Sequence, residues 1–207
     1  MTIRKFNDWG LVIPRPAAIE FCSSDAAVAA IATTYRQDRG SIPHICSTGG
    51  GLAASLGVSP TLSSTEVHEL SIDLLNVNYR TANGVQRTAV AANSVVMRHK
   101  WWLGQIVAIT NSGYLGQWEI APRAHPNDGV FDVVEVAANM PFRQRLIARS
   151  RLRSGAYLPH PSISQHQSQS DSWIFTQPIG LYLDEEFVGL ITQVHVTIEV
   201  DALKLVI

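Results

Sequence analysis

The residues of this chain that could do chemistry fall in a few short segments. Ile42-Pro43-His44-Ile45-Cys46-Ser47-Thr48-Gly49-Gly50-Gly51-Leu52-Ala53-Ala54 runs from an apolar stretch through three glycines into a helix-forming stretch. A turn of that kind presents backbone N–H groups and a helix dipole to a phosphate. The same segment satisfies the dinucleotide spacing, Gly49-x-Gly51-x-x-Ala54 with Asp73 about 20 residues on, although Asp73 falls in what reads as an antiparallel hairpin rather than a βαβ unit. A purely structural tight turn is the plain alternative. A second segment, Asn111 to Gly116 and then Ile120 to Val133, reads as a strand end, a glycine-bearing loop, a Pro-kinked passage and an Asp128-Gly129 turn entering another strand. Asp128 either caps that turn or faces a ligand. The third, Asp184-Glu185-Glu186, is either a solvated hairpin tip or a loop acid facing a cleft, which is a common catalytic placement. The histidines, at 44, 68, 99, 125, 160, 166 and 195, lack HExxH or other ligand spacing, and no Gly-x-Ser-x-Gly elbow supports a hydrolase. Cys22 and Cys46 cannot make a zinc site alone and lack CxxC spacing, so they read as buried thiols of a reducing compartment.

These residues must be held by elements that the hydrophobic period predicts. Ala17–Cys22 reads as a strand, Ala26–Arg36 as an alanine-rich helix with Gly40 as its C-cap, Ile42–Cys46 as a strand, and Leu52–Leu56 as the start of a helix. From about Val67 the pattern is mostly strand. Glu69–Tyr79 and Val85–Met97 are joined across Thr81-Ala82-Asn83-Gly84, a hairpin signal because Asn and Gly tolerate positive φ. Further strands are expected at Leu103–Thr110, Val130–Val136, Trp173–Gln177, Gly180–Leu183 and Ile191–Val200. One helix, Pro141–Arg153, carries Arg143, Arg145, Arg149, Arg151 and Arg153, which form a solvated face or contact an anionic surface. Ser162–Ser172 is polar and reads as an exposed loop. The expected fold class is α+β: a small N-terminal α/β segment followed by a larger antiparallel β-sandwich-like domain.

Composition bounds the function. The 207 residues carry 16 Lys+Arg against 17 Asp+Glu, a formal net charge of -1, which offers no electrostatic footprint for nucleic acid. A chain of this length buries roughly 70% of its unfolded surface, enough for a core without disulfides. No stretch approaches the roughly 18 apolar residues of a membrane span, and the start, MTIRKFNDWG, lacks an apolar h-region, so a soluble, cytoplasmic protein is expected. Peripheral membrane contact needs only a small apolar patch and stays open. Trp101, Trp102 and Trp118 could form an aromatic rim for a lipid headgroup, or could be sheet core or a dimer face.

The run Asn111-Ser112-Gly113-Tyr114-Leu115-Gly116 … Ala121-Pro122-Arg123-Ala124-His125-Pro126-Asn127-Asp128-Gly129-Val130-Phe131-Asp132-Val133 resembles the N-G-x-x-x-G … A-P-x-A-x-x-x-D-G-x-x-D-V pattern of the diacylglycerol kinase and bacterial lipid kinase family. Gly155-Ala156-Tyr157-Leu158-Pro159-His160 looks like that family's Gly…His element, and Asp184-Glu185-Glu186 like its Asp-Gly-Glu turn with Glu185 in place of glycine. The resemblance covers about Ala18 to Ile207. It implies a partial α/β nucleotide-binding-like domain over 1–62 and a β-sandwich-like lipid kinase domain over 63–207, with the C-terminal strand returning to the first.

The resemblance also implies a lipid kinase-like protein, transferring phosphate from ATP to a lipid hydroxyl such as that of diacylglycerol. Asp184 and Glu186 would supply the base, Asp128 with the Val130 carbonyl would hold Mg²⁺, and Asp25, Thr48, Gly49, Gly50 and Gly51 would lie on the ATP side. The nucleotide motifs are degraded: Ser23-Ser24-Asp25-Ala26-Ala27 stands for Gly-Gly-Asp-Gly-Thr, and Ser47 to Ala54 for Gly-Thr-x-Asn-Asp-x-Ala-Arg. Replacing such a glycine at a left-handed position costs roughly 1–2 kcal/mol and puts a Cβ where a phosphate should lie. The chain also begins one strand before the degraded motif, so an N-terminally shortened member is expected. Weakened or lost catalysis follows, a pseudo-kinase in the limit, with a non-catalytic ligand-binding or regulatory module as the alternative. The incomplete nucleotide sheet would leave an edge through which a homodimer could pair.

Overall fold

The computed structural model describes residues 10–37, 43–57, 64–152 and 159–207. Gly40 and Gly155–Leu158 lie outside them.

The N-terminal unit contains β1 (Leu11–Pro14), β2 (Ile19–Cys22), α1 (Asp25–Gln37), β3 (His44–Ser47) and α2 (Gly50–Leu56). β2 and β3 pair in parallel, as a βαβ connection requires. Ser24 caps α1, its Oγ accepting the Ala27 amide at 3.2 Å. The alanines let α1 sit close to the sheet, where Val28, Ala29 and Ala32 are buried against Ile45, Leu70, Ile72, Leu203 and Leu205.

The larger unit is antiparallel. β4 (Glu66–Thr81) turns at Asn83-Gly84 into β5 (Gln86–Ala91). β6 (Ser94–Lys100), β7 (Leu103–Thr110), β10 (Phe131–Val136), β11 (Ile163–Ser168), β12 (Ser170–Leu183) and β13 (Glu186–Val206) complete it, with a small β8–β9 hairpin (Tyr114–Leu115, Trp118–Glu119) and α3 (Phe142–Arg151) attached. The main path runs β1-β4-β13-β12-β6-β7-β10-β11. Alternate residues of the long strands point inward to one core containing Leu75, Val77, Met97, Ile109, Phe131, Leu181 and Val196. β4 and β13 are long enough to serve both cores. β13 changes allegiance at an irregularity between Glu199 and Leu203, where Asp201 adopts φ 53, and its last residues pair with both β4 and β3, Leu205 lying opposite Ile45.

Two expectations about elements are corrected. The Val85–Met97 run is two strands, because Ala92 and Asn93 turn their amides onto a buried carboxylate instead of a neighbouring strand. Ser162–Ser172 is not a loop: β11 pairs residue for residue with β10, and β12 begins at Ser170. Strand pairing is made by backbone groups, so a polar sequence can occupy a sheet edge. Here Gln165 and Gln167 donate to the buried Asp132 carboxylate at 3.1 and 3.2 Å.

Candidate functional site

The site is organised by Asn93, which is fully buried between β5 and β6. Its Nδ2 donates to Asp25 Oδ2 at 3.0 Å and to the Tyr114 carbonyl at 2.9 Å, while its Oδ1 accepts from the Ser112 hydroxyl and amide. One side chain thus ties the N-terminal unit to the Asn111–Gly116 loop. Asn93 is itself fixed by Asp184: Oδ2 accepts the Ala92 amide at 2.7 Å, and Oδ1 those of Asn93 and Ser94 at 2.9 and 2.8 Å.

The acidic turn divides its three residues among different roles. Asp184 is 6% exposed and clamps the β5–β6 turn. Burial pushes its carboxyl up to about 7, against the pull of the three amides and with a small further push from Asp25. Glu186 opens β13 opposite Leu183 and is exposed. Glu185 was not expected to matter, yet its carboxylate lies against Gly116, where a Cβ would collide with it, and its charge contributes to raising Asp25. Asp184 (φ 47) and Glu185 (φ 72) both take left-handed backbone, the pattern of a two-residue hairpin turn that favours Asp-Gly. Glutamate at the second position costs about 1–2 kcal/mol against glycine. Its residence in place of the family's glycine was the sequence signal that could have pointed to it.

On the nucleotide side, Asp25 is 7% exposed, and its carboxylate accepts the Gly51 amide at 2.7 Å and the Leu52 amide at 3.2 Å. It therefore caps α2 from across the chain, a duty that Gly49, at the N-cap, cannot perform. Burial raises its pKa most, the amides and Asn93 lower it, and Glu185 raises it. Thr48 is spent on the Cys22 carbonyl through both its amide (2.7 Å) and hydroxyl (3.1 Å). The glycine triplet is closely packed. A Cβ would meet the Ser23 carbonyl at Gly49, the Asp25 carboxylate at Gly50, and the Asn93 amide at Gly51. The glycines are needed for close approach of the protein to itself, and two amides of the turn, those of Gly51 and Leu52, are already taken by Asp25.

The Asp128 loop is joined to this cluster indirectly. Asp73, fully buried on β4, accepts the Gly129 amide and the Asp201 amide, both at 2.9 Å, and its backbone carbonyl accepts Asn111 Nδ2 at 2.9 Å. With both oxygens so engaged, Asp73 is not a ribose ligand for a dinucleotide. Asp128 is exposed, and its Oδ1 accepts the Val130 amide at 3.2 Å. Desolvation, then Asp132 and Asp73, push its carboxyl up to about 6, against the pull of the Val130 amide. Among the described residues no cluster of three or more His, Cys, Asp or Glu could hold a metal, so a Mg²⁺ at Asp128 would have to keep most of its waters.

Two cavities flank the Asn111–Gly116 loop. An apolar one of about 230 Å³ lies under α3 and is lined by Trp101, Trp102, Leu115, Trp118, Met140 and Ala148, among others. The second, about 330 Å³, shares the wall Trp101, Leu115 and Trp118 and adds Arg98, Gly116 and Glu185. α3 is held over the first by Arg145, whose buried guanidinium donates to the carbonyls of Met140, Trp101, Gly104 and Ala137.

Residues 75–207, almost two thirds of the chain, match the model of the YegS C-terminal NAD kinase β-sandwich-like domain. The chain belongs to this family. Solved structures agree with a lipid kinase-like fold that extends into the N-terminal unit. Two solved structures of a candidate diacylglycerol kinase from Bacillus anthracis strain Sterne superpose with TM-scores of 0.63 and 0.61, each covering 90% of this chain and 76% of theirs at 13% identity. A third, of a diacylglycerol kinase from the same strain, has a TM-score of 0.59 at 13% identity, covering 90% and 74%. At that identity the likeness concerns the fold. No curated protein matches in sequence. Within the YegS-like fold the closing strand β13 joins the sandwich to β3, as the resemblance implied.

Proposed function

We propose that this is a lipid kinase-like protein that binds a lipid-like amphiphile beside Trp101, Leu115 and Trp118, and in which ATP-dependent phosphoryl transfer is weakened or lost. The observation that carries this reading is the pairing of a strongly apolar cavity with a second that adds the charged Arg98 and Glu185 to its lining, beside an Asp25–Asn93 cluster that fills the glycine turn. An apolar pocket with few convergent polar groups is the usual form of a small-ligand site. A triphosphate at Gly49–Gly51 would have to displace the Asp25 carboxylate and meet its charge.

Residues 1–62 are the nucleotide-side unit and 63–207 the acceptor side. Asp25, Thr48 and the glycines shape the wall between them. Asp184 positions the turn, and Glu186, with Glu185 beside it, is the exposed acid able to take a proton from a hydroxyl. A hydrated Mg²⁺ on Asp128 and the Val130 carbonyl would offset negative charge and order the 126–130 loop. The exposed Phe142, Leu146 and Ile147 of α3, with Leu103 and the exposed Arg143, Arg149 and Arg151, suit peripheral contact with a membrane, whereas Arg145 is buried and holds the helix in place. No helix among the described residues is long and apolar enough to cross one. The outer edge of β2, unpaired among the described residues, would support a homodimer.

Calorimetry with ATP-Mg²⁺ and a phosphate-transfer assay on diacylglycerol vesicles test the reading together. Absent or millimolar nucleotide binding with retained lipid binding is expected. Micromolar ATP affinity with turnover typical of kinases would overturn the loss of catalysis, and no lipid binding would overturn the whole.

A further inference from the structure

Arg98 has no role in the clamp around Asn93, yet its setting is specific. Its guanidinium packs on two rings, 4.4 Å from the centroid of Trp101 and 4.0 Å from that of Tyr182, and it lines the second cavity. Two aromatic rings against the cation restrict its orientation and leave its N–H groups as its means of hydrogen bonding. Among the described residues those groups have no acceptor, and Nε is buried without one. A shielded N–H left unpaired is costly and rare. Glu185 lines the same cavity but forms no ion pair with Arg98 within 4.0 Å, so the acid nearest at hand does not quench the cation.

The neighbouring apolar cavity shows the same sign of charge. Arg149 stands over Trp102 and Trp118 at 5.0 and 5.2 Å, and Arg145 is satisfied by carbonyls without a carboxylate. Three arginines and one glutamate thus line the two spaces. The T-shaped Trp101–Trp118 pair, 5.9 Å apart, stands in the wall between them.

We infer that the paired cavities take an amphiphile with an anionic head group, its phosphate or carboxylate on the N–H edge of Arg98 and its aliphatic chain under α3. The inference rests on the lipid reading above and sharpens it from any lipid to an anionic one. A planar guanidinium fixed by stacking meets a two-oxygen anion with two parallel hydrogen bonds, which a neutral hydroxyl head cannot accept. The chain supplies affinity through burial, and the arginine supplies selectivity.

The test compares decyl phosphate, decanoate and 1-decanol binding to the full chain by calorimetry below their aggregation limits, in the wild type, Arg98→Met, Arg98→Lys and Ala148→Phe. Expected is at least tenfold tighter binding of decyl phosphate than of 1-decanol, with decanoate between. Arg98→Met should bring that ratio below about twofold, Arg98→Lys should keep part of it, and Ala148→Phe, which fills the apolar cavity, should weaken all three ligands alike. Equal binding of decanol and decyl phosphate to the wild type, or an unchanged ratio in Arg98→Met, overturns the anion selectivity and leaves the lipid reading intact. Failure of all three ligands to bind the wild type overturns both. Because the wild-type series needs no variant, poor folding of a mutant does not remove the test.

Discussion

Removing Asp184 should loosen the molecule at the point where its two units meet. Its carboxylate receives three buried amides, from Ala92, Asn93 and Ser94, and the backbone there has φ 47. In Asp184→Asn the side-chain carbonyl can still accept Asn93 and Ser94, but the new amide nitrogen faces the Ala92 N–H. The Ala92 N–H then goes unpaired against the donors of the new amide, at about 1–3 kcal/mol. Asp184→Gly strands all three donors, at about 3–5 kcal/mol after partial hydration, while relieving about 1 kcal/mol of left-handed strain. For a protein of this size each kcal/mol moves Tm by about 2–4 °C, so drops of about 2–12 °C for Asn and about 4–16 °C for Gly are expected. Urea unfolding at constant slope gives the free energies directly. If Asp184→Gly unfolds within 1 kcal/mol of the wild type, the amide clamp is not what fixes Asn93, and the argument for a built site weakens with it.

Glu185→Gly should stabilise the fold by about 1 kcal/mol, because glycine fits φ 72 without strain; a loss of stability in denaturant would show that the Glu185 carboxylate holds the cleft together. Gly51→Ala should destabilise by about 1–3 kcal/mol by thermal melt, although alanine is the better helix former, because its Cβ would strike the Asn93 amide and crowd the Tyr114 carbonyl. Glu69 accepts His44 Nε2 at 2.6 Å and Lys204 Nζ at 2.7 Å, and Lys204 above all, then His44, hold its carboxyl below its ordinary 4.5 against some desolvation. A lowered carboxyl contributes stability that is present above pH 4.5 and lost as pH falls through the folded value. Glu69→Gln should therefore cost about 1–2 kcal/mol at pH 7, with the gap closing in urea melts as pH falls below 4.5; a gap independent of pH would mean the loss is packing, not charge.

Much of the fold was legible because it depends on local signals. The alanine-rich helix, the Asn83-Gly84 hairpin and the apolar periods of β4, β7 and β10 follow from side-chain size and turn chemistry within a few residues. The ordered motifs from Asn111 to Val133 and at Asp184 carried the family resemblance for the same reason, being short, contiguous and dense in Gly and Asp. The polar β11 was illegible, since a ladder at a sheet edge is made by backbone groups that any side chain permits. The split of β5 from β6 at Asn93 could not be seen either, because the carboxylate responsible is about ninety residues away in the chain.

The sequence by itself determined which segments bend, which bury themselves, and which acids stand at turns. Tertiary structure alone decided what those acids do. Asp25 reads as a nucleotide-side residue, but its oxygens are taken by amides that the fold brings to it from α2. Of the three acids at 184–186, the left-handed turn directs one inward to backbone donors, one against Gly116 and one to solvent. Arg98 has no motif around it; two rings from separate strands and loops give it direction. Long-range hydrogen bonding and stacking depend on distances that chain order does not encode, so the chemistry of this site is a property of the assembled sheet.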